Sequence, residues 1–156
     1  MILAIDPGPQ VSAWVLFDER VRRVRGKATE DNLGVLRLII LRRDMVRPCS
    51  ACIIEKVESF GMAVGADVFE TVFWGGRFAQ AWGDDNTLYR IGRKEVKLAL
   101  CGSARAKDRN IRQALIDRFG GKEAAIGKKA APGPLYAVKG HEWSALALAI
   151  VWGGMD

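Results

Sequence analysis

Long hydrophobic runs are missing from this sequence of 156 residues. The longest apolar stretch, 145–152, is well short of the ~20 residues that a membrane-spanning helix needs. The first residues do not show a basic segment followed by an apolar core, which is the pattern of a secretory signal. We therefore expect a cytoplasmic protein that has no membrane partner.

The sequence contains few cysteines, and their number is odd. The three cysteines include one C-x-x-C pair, Cys49 and Cys52, and no second pair completes a zinc ribbon. Because this pair leads into a strand-like apolar run rather than a helix, we favour buried free thiols over zinc or redox chemistry.

Acidic residues are outnumbered, since 18 Asp and Glu stand against 24 Lys and Arg and give a formal net charge of +6. This balance favours an anionic partner. Nucleic acid is favoured over a membrane because no basic helix with a clean apolar face is present. A solvated basic surface without a partner remains the alternative.

Apolar periodicity predicts strands and helices in alternation. Strand patterns occur at 1–5, 11–17, 21–27, 51–54 and 88–91. Helical spacing occurs at 30–43, 66–82, 93–100, 108–119 and 141–152. The segment 122–140, rich in Gly, Ala, Lys and Pro, is predicted to be a loop, and Gly120-Gly121 is predicted to end the preceding helix.

The order of these elements predicts an α/β fold in a single domain, 1–156. The first three strands form an antiparallel meander, and helical crossovers place the later strands parallel. The result is a mixed five-stranded sheet flanked by helices in three layers, a layout that resembles the RNase H-like fold. That layout alone leaves function open, because sugar kinases and chaperone ATPases share it.

Charged side chains occur where apolar elements end. Asp6 and Glu55 each end an apolar strand, and His141 with Glu142 opens an apolar helix. A buried carboxylate is costly unless it is paired or bound to a metal, and Mg²⁺ favours carboxylate oxygens. Two such ions about 4 Å apart stabilise the attacking and leaving oxygens of a phosphodiester, so the pattern indicates phosphodiester hydrolysis.

Simpler interpretations of the same residues stay open at this point. Asp6 suits a turn before Pro-Gly, and Glu55 can pair with Lys56 at the surface. His141 and Glu142 can form an exposed first turn of a helix.

Four segments resemble motifs of RuvC-type Holliday-junction resolvases. Residues 2–8 (ILAIDPG) resemble the first motif and 53–57 (IIEKV) the second. Residues 102–107 (GSARAK) are similar to a glycine-serine turn with a basic residue facing DNA. Residues 141–149 (HEWSALALA) are similar to the last helix, which usually begins Asp-x-x-Asp.

The resemblance implies a structure-selective endodeoxyribonuclease that cleaves four-way (Holliday) or branched DNA junctions. It implies Mg²⁺ or Mn²⁺ as cofactor, with two ions per site, a homodimer, and no nucleotide cofactor. The implied catalytic residues and metal ligands are Asp6, Glu55 and His141. The implied DNA contacts are Arg105, Lys107, Arg109 and Phe60.

The sequence departs from the family pattern at two places. Ser144 stands where the last helix usually has its second acid, so Glu142 is a less certain fourth metal ligand. Glu58 stands where the family has an aromatic wedge after its second motif, so Phe60 or Met62 would have to serve as the wedge.

Three alternative functions follow from the same features. A ribonuclease H-type nuclease would cut RNA–DNA hybrids and need no dimer. An actin-like or sugar-kinase-like fragment would also begin with a strand that ends in Asp-x-Gly. A non-catalytic basic DNA-binding module would bind DNA without needing Asp6.

The predicted helix 66–82 carries more apolar and aromatic surface than one small domain readily covers. We expect part of it, with Phe73 and Trp74, to form the homodimer interface.

Overall fold

The computed structural model describes residues 1–44, 49–59, 61 and 63–154. The main sheet contains strands β1 (Ile2–Asp6), β2 (Val11–Asp18), β3 (Arg23–Asp31), β4 (Ala51–Lys56) and β5 (Leu88–Gly92). The helices are α1 (Asn32–Asp44), α2 (Ala66–Trp82), α3 (Arg93–Cys101), α4 (Asp108–Arg118), α5 (Gly121–Ala125) and α6 (Glu142–Gly153). Two short strands, β6 (Gly127–Lys128) and β7 (Ala131–Pro132), form a hairpin.

The sheet has the strand order β3-β2-β1-β4-β5. Strands β1, β2 and β3 pair antiparallel, whereas β4 pairs parallel with both β1 and β5. The predicted mixed sheet, a meander followed by parallel strands with helical crossovers, is confirmed.

The core has two halves because successive side chains of a strand point to opposite faces of the sheet. In β1, Ile2 and Ala4 pack into one half, and Leu3 and Ile5 pack into the other. The first half lies under α6, α3 and α4, and the second lies under α1 and α2. The three-layer arrangement predicted from the sequence is therefore confirmed.

Helix α6 is the most completely buried helix, with Leu146 and Leu148 fully enclosed between the sheet and its neighbours. It packs against β1, β2 and β4. Across the described part of the chain, no helix combines the length and apolar character needed to cross a bilayer.

Strand β3 is longer than predicted. The pattern placed its end at 27 and a helix from 30, but β3 stays paired with β2 as far as the Val11 and Asp31 partners. An edge strand is half exposed, so its polar residues hide the apolar alternation. Helix α1 begins only after Asp31, whose carboxylate accepts hydrogen bonds from the backbone N–H groups of Leu33 and Gly34 at 3.1 and 3.0 Å.

The prediction of a loop over 122–140 is wrong for its first part, which contains α5 and the β6–β7 hairpin. Elements this short have no period to detect. The backbone is held instead by local hydrogen bonds, such as the one that Leu135 N–H donates to the carbonyl oxygen of Ala125 at 2.8 Å. Gly120 and Gly121 do have positive φ after α4, as their predicted role in ending that helix requires.

The cysteines fit the expectation of buried thiols. Cys49 and Cys52 are both buried, and neither forms a disulfide. Burial raises the pKa of the Cys52 thiol, which makes a reactive thiolate unfavourable there.

Candidate active site

Asp6 and Glu55 lie next to each other at one edge of the sheet. Their strands β1 and β4 are parallel neighbours with Ile5 opposite Ile54, so the residues that follow share the same edge. Ile5 and Ile54 pack on the α1 and α2 face, and alternation turns Asp6 and Glu55 toward the α6 face. The Asp6 and Glu55 side chains are only 12% and 15% exposed.

The start of α6 brings two more polar groups to Asp6. Nδ1 of His141 lies 3.4 Å from Oδ2 of Asp6, and the Ser144 side chain, near the same carboxylate, lowers the pKa of Asp6. The His141 side chain is 78% exposed, so the imidazole lies at the mouth of the site. Ser144 therefore adjoins Asp6 from the position where the resemblance predicts an acid.

A buried hydrogen-bond network fixes the loop that follows Asp6. The backbone N–H of Gly8 donates to Oγ of Ser12 at 3.1 Å, and Ser12 donates to Oδ1 of Asn32 at 2.6 Å. Asn32 in turn donates from Nδ2 to the carbonyl oxygen of Gly8 at 3.0 Å. Residue 8 must be glycine because a Cβ there would lie 2.2 Å from the carbonyl oxygen of Val11.

Arg93 is a site residue that the sequence analysis did not identify. It follows β5, the third strand that ends at this edge, and its Nη1 lies 3.3 Å from Oε2 of Glu55. Its Nη2 lies 2.6 Å from Oδ1 of Asp108, the first residue of α4. The rule that located Asp6 and Glu55, that parallel strands end at one edge, also applies to the residue after β5.

The protonation of both carboxylates reflects their burial. Burial raises the pKa of Asp6 above its ordinary value, although His141 and Arg93 act in the opposite direction. Burial, together with the negative charge of Asp6, raises the pKa of Glu55 to about 7, and Arg93 only partly offsets this. Two buried carboxylates that repel each other form a site that favours a cation.

The donor set at this edge fits a hard divalent cation. Asp6 and Glu55 supply carboxylate oxygens, and His141 adds an imidazole nitrogen beside Asp6. Among the residues that the structure describes, no group of three His, Cys, Asp or Glu side chains forms a complete metal cluster. The side chain in contact with Glu55 is instead Arg93.

Glu142, the less certain fourth ligand, is engaged elsewhere. Its side chain is buried rather than exposed, and its carboxylate accepts a hydrogen bond from the backbone N–H of Lys139 at 2.9 Å. This contact fixes the start of α6 and therefore the position of His141. The role of Glu142 as a metal ligand stays a prediction.

Two clefts open at His141. The first, of about 340 Å³, contains Asp6 and Arg93 in its walls. The second, of about 510 Å³, is lined by Arg109, Arg112 and Lys139, among others. The sequence analysis missed Arg112 and Lys139, although Arg112 follows Arg109 at the three-residue spacing that places both on one side of a helix.

The residues predicted to contact DNA lie beside these clefts. Arg105 and Lys107 are exposed in the turn between α3 and α4, and Arg109 is exposed in the first turn of α4. Phe60 and Met62, the predicted wedge residues, lie outside the described residues.

Helix α2 leaves an apolar surface uncovered, which we call the α2 face and define by Phe69, Val72 and Phe73. All three are exposed, Phe73 by 57%. Trp74 instead packs against Phe78 in the core, with ring centroids 5.9 Å apart. Of the two residues predicted to form a dimer interface, the structure thus exposes Phe73 and keeps Trp74 half-buried.

The mixed sheet with helices on both faces defines the class of this protein, an α/β fold of the RNase H-like type. No family model and no curated protein matches the sequence. Among solved structures, the chain is similar to RuvC of Thermus thermophilus, with a TM-score of 0.64 and 20% identity over 96% of this chain and 91% of that one. It is also similar to T. thermophilus RuvC in complex with Holliday junction substrate, with a TM-score of 0.65 and 20% identity over 96% and 90% of the two chains. The chain therefore has the RuvC fold.

Proposed function

We propose that this protein is a divalent-metal-dependent endodeoxyribonuclease that cleaves four-way or otherwise branched DNA. The observation that carries the proposal is the buried pair Asp6 and Glu55, at adjacent strand ends, with His141 beside Asp6. The fold supports the choice of substrate, because one of its structural relatives is RuvC bound to a Holliday junction substrate.

Asp6, Glu55 and His141 would hold the metal, which we propose to be Mg²⁺ or Mn²⁺ with two ions per site. When bound, such cations activate the attacking water and neutralise the charge that develops on the phosphate. Ser144 adjoins Asp6 and favours its ionised form, and the network of Gly8, Ser12 and Asn32 keeps the following loop in place.

The reaction is a hydrolysis, in which water adds to phosphorus and one P–O ester bond breaks. The products are a phosphate monoester and a free hydroxyl, so one proton must leave the water and one must reach the departing oxygen. The His141 imidazole lies at the opening of the site, and its exposure to solvent allows it to exchange protons there.

The second cleft offers a path for the DNA backbone. Arg109, Arg112 and Lys139 line it together with His141, so phosphates held there would adjoin the scissile position. The Arg112 guanidinium carbon lies 5.2 Å from the centroid of the Trp143 ring, within the roughly 6 Å of a cation–π contact, so the ring helps to hold Arg112 in place. Arg105 and Lys107 extend the basic surface beyond the cleft.

A symmetric four-way junction is cut by two active sites, and we propose that a homodimer provides them through the α2 face. Replacing Phe73 with Asp should shift the mass measured by light scattering from dimer to monomer, because a charge is costly in an apolar interface. Val21→Asp is the matched control, since Val21 is similarly exposed but lies in the turn between β2 and β3. A wild-type monomer at micromolar concentration would contradict the dimer.

A substrate comparison tests the proposal as a whole. Labelled four-way junction, linear duplex and RNA–DNA hybrid are incubated with the protein in Mg²⁺, in Mn²⁺ and in chelator. We expect metal-dependent nicks placed symmetrically in the junction and little cleavage of the duplex. Preferential cleavage of the hybrid would indicate a ribonuclease H-type enzyme, and binding without any cleavage would indicate a DNA-binding module.

A further inference from the structure

Arg93 lies among three carboxylates at the catalytic edge. Its guanidinium contacts Glu55 at 3.3 Å and Asp108 at 2.6 Å, and it also interacts electrostatically with Asp6. Asp6 and Glu55 are largely buried, with 12% and 15% of their side chains exposed, whereas Asp108 is 75% exposed at the rim. The guanidinium therefore contacts one carboxylate inside the site and one at its rim.

The two contacts of Arg93 are unequal. The shorter one is to Asp108, which retains its hydration because it is exposed, and the longer one is to Glu55. Arg93 can therefore give up Glu55 while it keeps Asp108. The carboxylate that it would release is only 15% exposed and lies beside Asp6, so it needs another cation in place of Arg93.

Arg93 also has space on its other side. The Arg93 side chain forms part of the wall of the cleft that contains Asp6. It also lines a separate groove of about 270 Å³, next to Lys94 and Lys97. The Arg93 side chain is 34% exposed, so the guanidinium has room to move away from Glu55 while it stays in contact with Asp108.

We propose that Arg93 is an internal counter-cation that competes with the divalent ion for Glu55. In the metal-free protein it neutralises Glu55, and when the ion binds it withdraws toward Asp108. The inference rests on the proposed function in one respect, since it takes Glu55 to be a metal ligand. Beyond the proposed function, the inference is that Arg93 competes with the metal ion for Glu55. Arg93 would then act through Glu55, as a positioning residue, and lower the metal affinity.

Calorimetric titration with Mg²⁺ alone tests the competition without any measurement of cleavage. It is performed at about pH 8.5, above the range in which Glu55 titrates. Arg93→Gln should bind Mg²⁺ more tightly than the wild type, on the order of tenfold, because a fixed positive charge beside the ion has been removed. Lys94→Gln is the matched control, since Lys94 is the next residue and lines only the groove, and it should leave the affinity within about twofold.

Arg93→Lys provides a second variant that keeps the charge, and its Mg²⁺ affinity should stay within a few-fold of the wild type. Folding of each variant is checked by thermal melting, and if Arg93→Gln does not fold, Arg93→Lys and Arg93→Met replace it as the pair compared.

Equal or weaker Mg²⁺ binding when the charge at residue 93 is removed would overturn the competition. So would equal tightening by Lys94→Gln, which would point to general surface charge. A wild-type protein that cleaves junctions but shows no effect at Arg93 refutes this inference alone, whereas a wild type that binds neither Mg²⁺ nor Mn²⁺ refutes the proposed metal dependence.

Discussion

The molecule carries charge in two contrasting regions. At the edge where β1 and β4 end, the carboxylates of Asp6 and Glu55 are largely buried and close to each other, whereas Arg105, Lys107 and Arg109 project into solvent. Charges interact strongly where water is excluded and weakly where solvent and salt screen them. Single changes at the acidic edge should therefore have large effects, and single changes on the basic surface should have small, additive ones.

The largest effect is expected from removing one of the buried charges. Asp6→Asn or Glu55→Gln should reduce junction cleavage by roughly 10³-fold or more, since each removes a proposed metal ligand while preserving shape. Junction binding, measured by gel shift, should survive or tighten because negative charge near the phosphates is lost. Asp117→Asn, an exposed acid on α4, is the control. Loss of binding together with cleavage would contradict a purely catalytic role, and retained cleavage would remove these residues from the active site.

The buried acid should also make stability depend on pH. The pKa of Glu55 is raised to about 7 from an ordinary 4.5, so between these values the folded protein keeps a proton that the unfolded chain has released. Stability should therefore fall as the pH rises from about 5 to 8, with a contribution from Glu55 of roughly 3 kcal/mol.

Urea unfolding in chelator at pH 5 and pH 8 measures this dependence. Glu55→Gln should lose much of the decrease and exceed the wild type in stability at pH 8, because its amide stays neutral beside Asp6 and Arg93. Asp6 is present in both proteins and interacts with Glu55, so the difference between them reports Glu55 together with its interaction with Asp6. Parallel pH profiles for the two proteins would show that Glu55 is well solvated.

The same contrast explains what the sequence could predict. Asp6 and Glu55 stand out because each interrupts an apolar strand, and the sheet order follows from alternating strand and helix patterns. The end of β5 places Arg93 at the same edge, but its charge is ordinary for the first turn of a helix and its partners Glu55 and Asp108 are 38 and 15 residues away. Long-range pairs leave no local signal, so the meeting of Asp6, Glu55 and Arg93 at one edge could be predicted, but the ion pair between Arg93 and Glu55 could not.

The end of β3 and the short elements within 122–140 were predicted wrongly for a related reason. The end of β3 is set by its pairing with β2 rather than by its own polar sequence, and α5 with its hairpin is too short to show a period. Both depend on backbone hydrogen bonds to another segment, which side-chain patterns do not report.

An intermediate effect is expected at His141, which joins the two regions because it contacts Asp6 and is nevertheless exposed. His141→Ala should lower cleavage by roughly 10²-fold, within the range for a general acid–base residue or a single metal contact. His141→Asp should retain Mg²⁺-dependent cleavage, since an aspartate supplies the acid usual at this position in the family that the sequence resembles. Both variants are compared in single-turnover assays on the four-way junction. A fully active alanine variant would mean that the start of α6 takes no part in the chemistry.

The smallest effects are expected on the basic surface, where salt dependence is more informative than affinity at one salt concentration. Each phosphate contact contributes about 0.9 to the slope of log binding constant against log salt concentration. Arg105→Gln, Lys107→Gln and Arg109→Gln should each flatten that slope by about one and weaken binding similarly on junction and duplex, because phosphate contacts carry no base information.

Arg20→Gln is the control, since Arg20 follows β2 at the opposite edge of the sheet and is also exposed. A slope that changes equally for Arg20 would mean that the whole surface attracts DNA by net charge. An unchanged slope for Lys107 would place the turn between α3 and α4 away from the DNA, and the backbone path would then run through the cleft lined by Arg112 and Lys139.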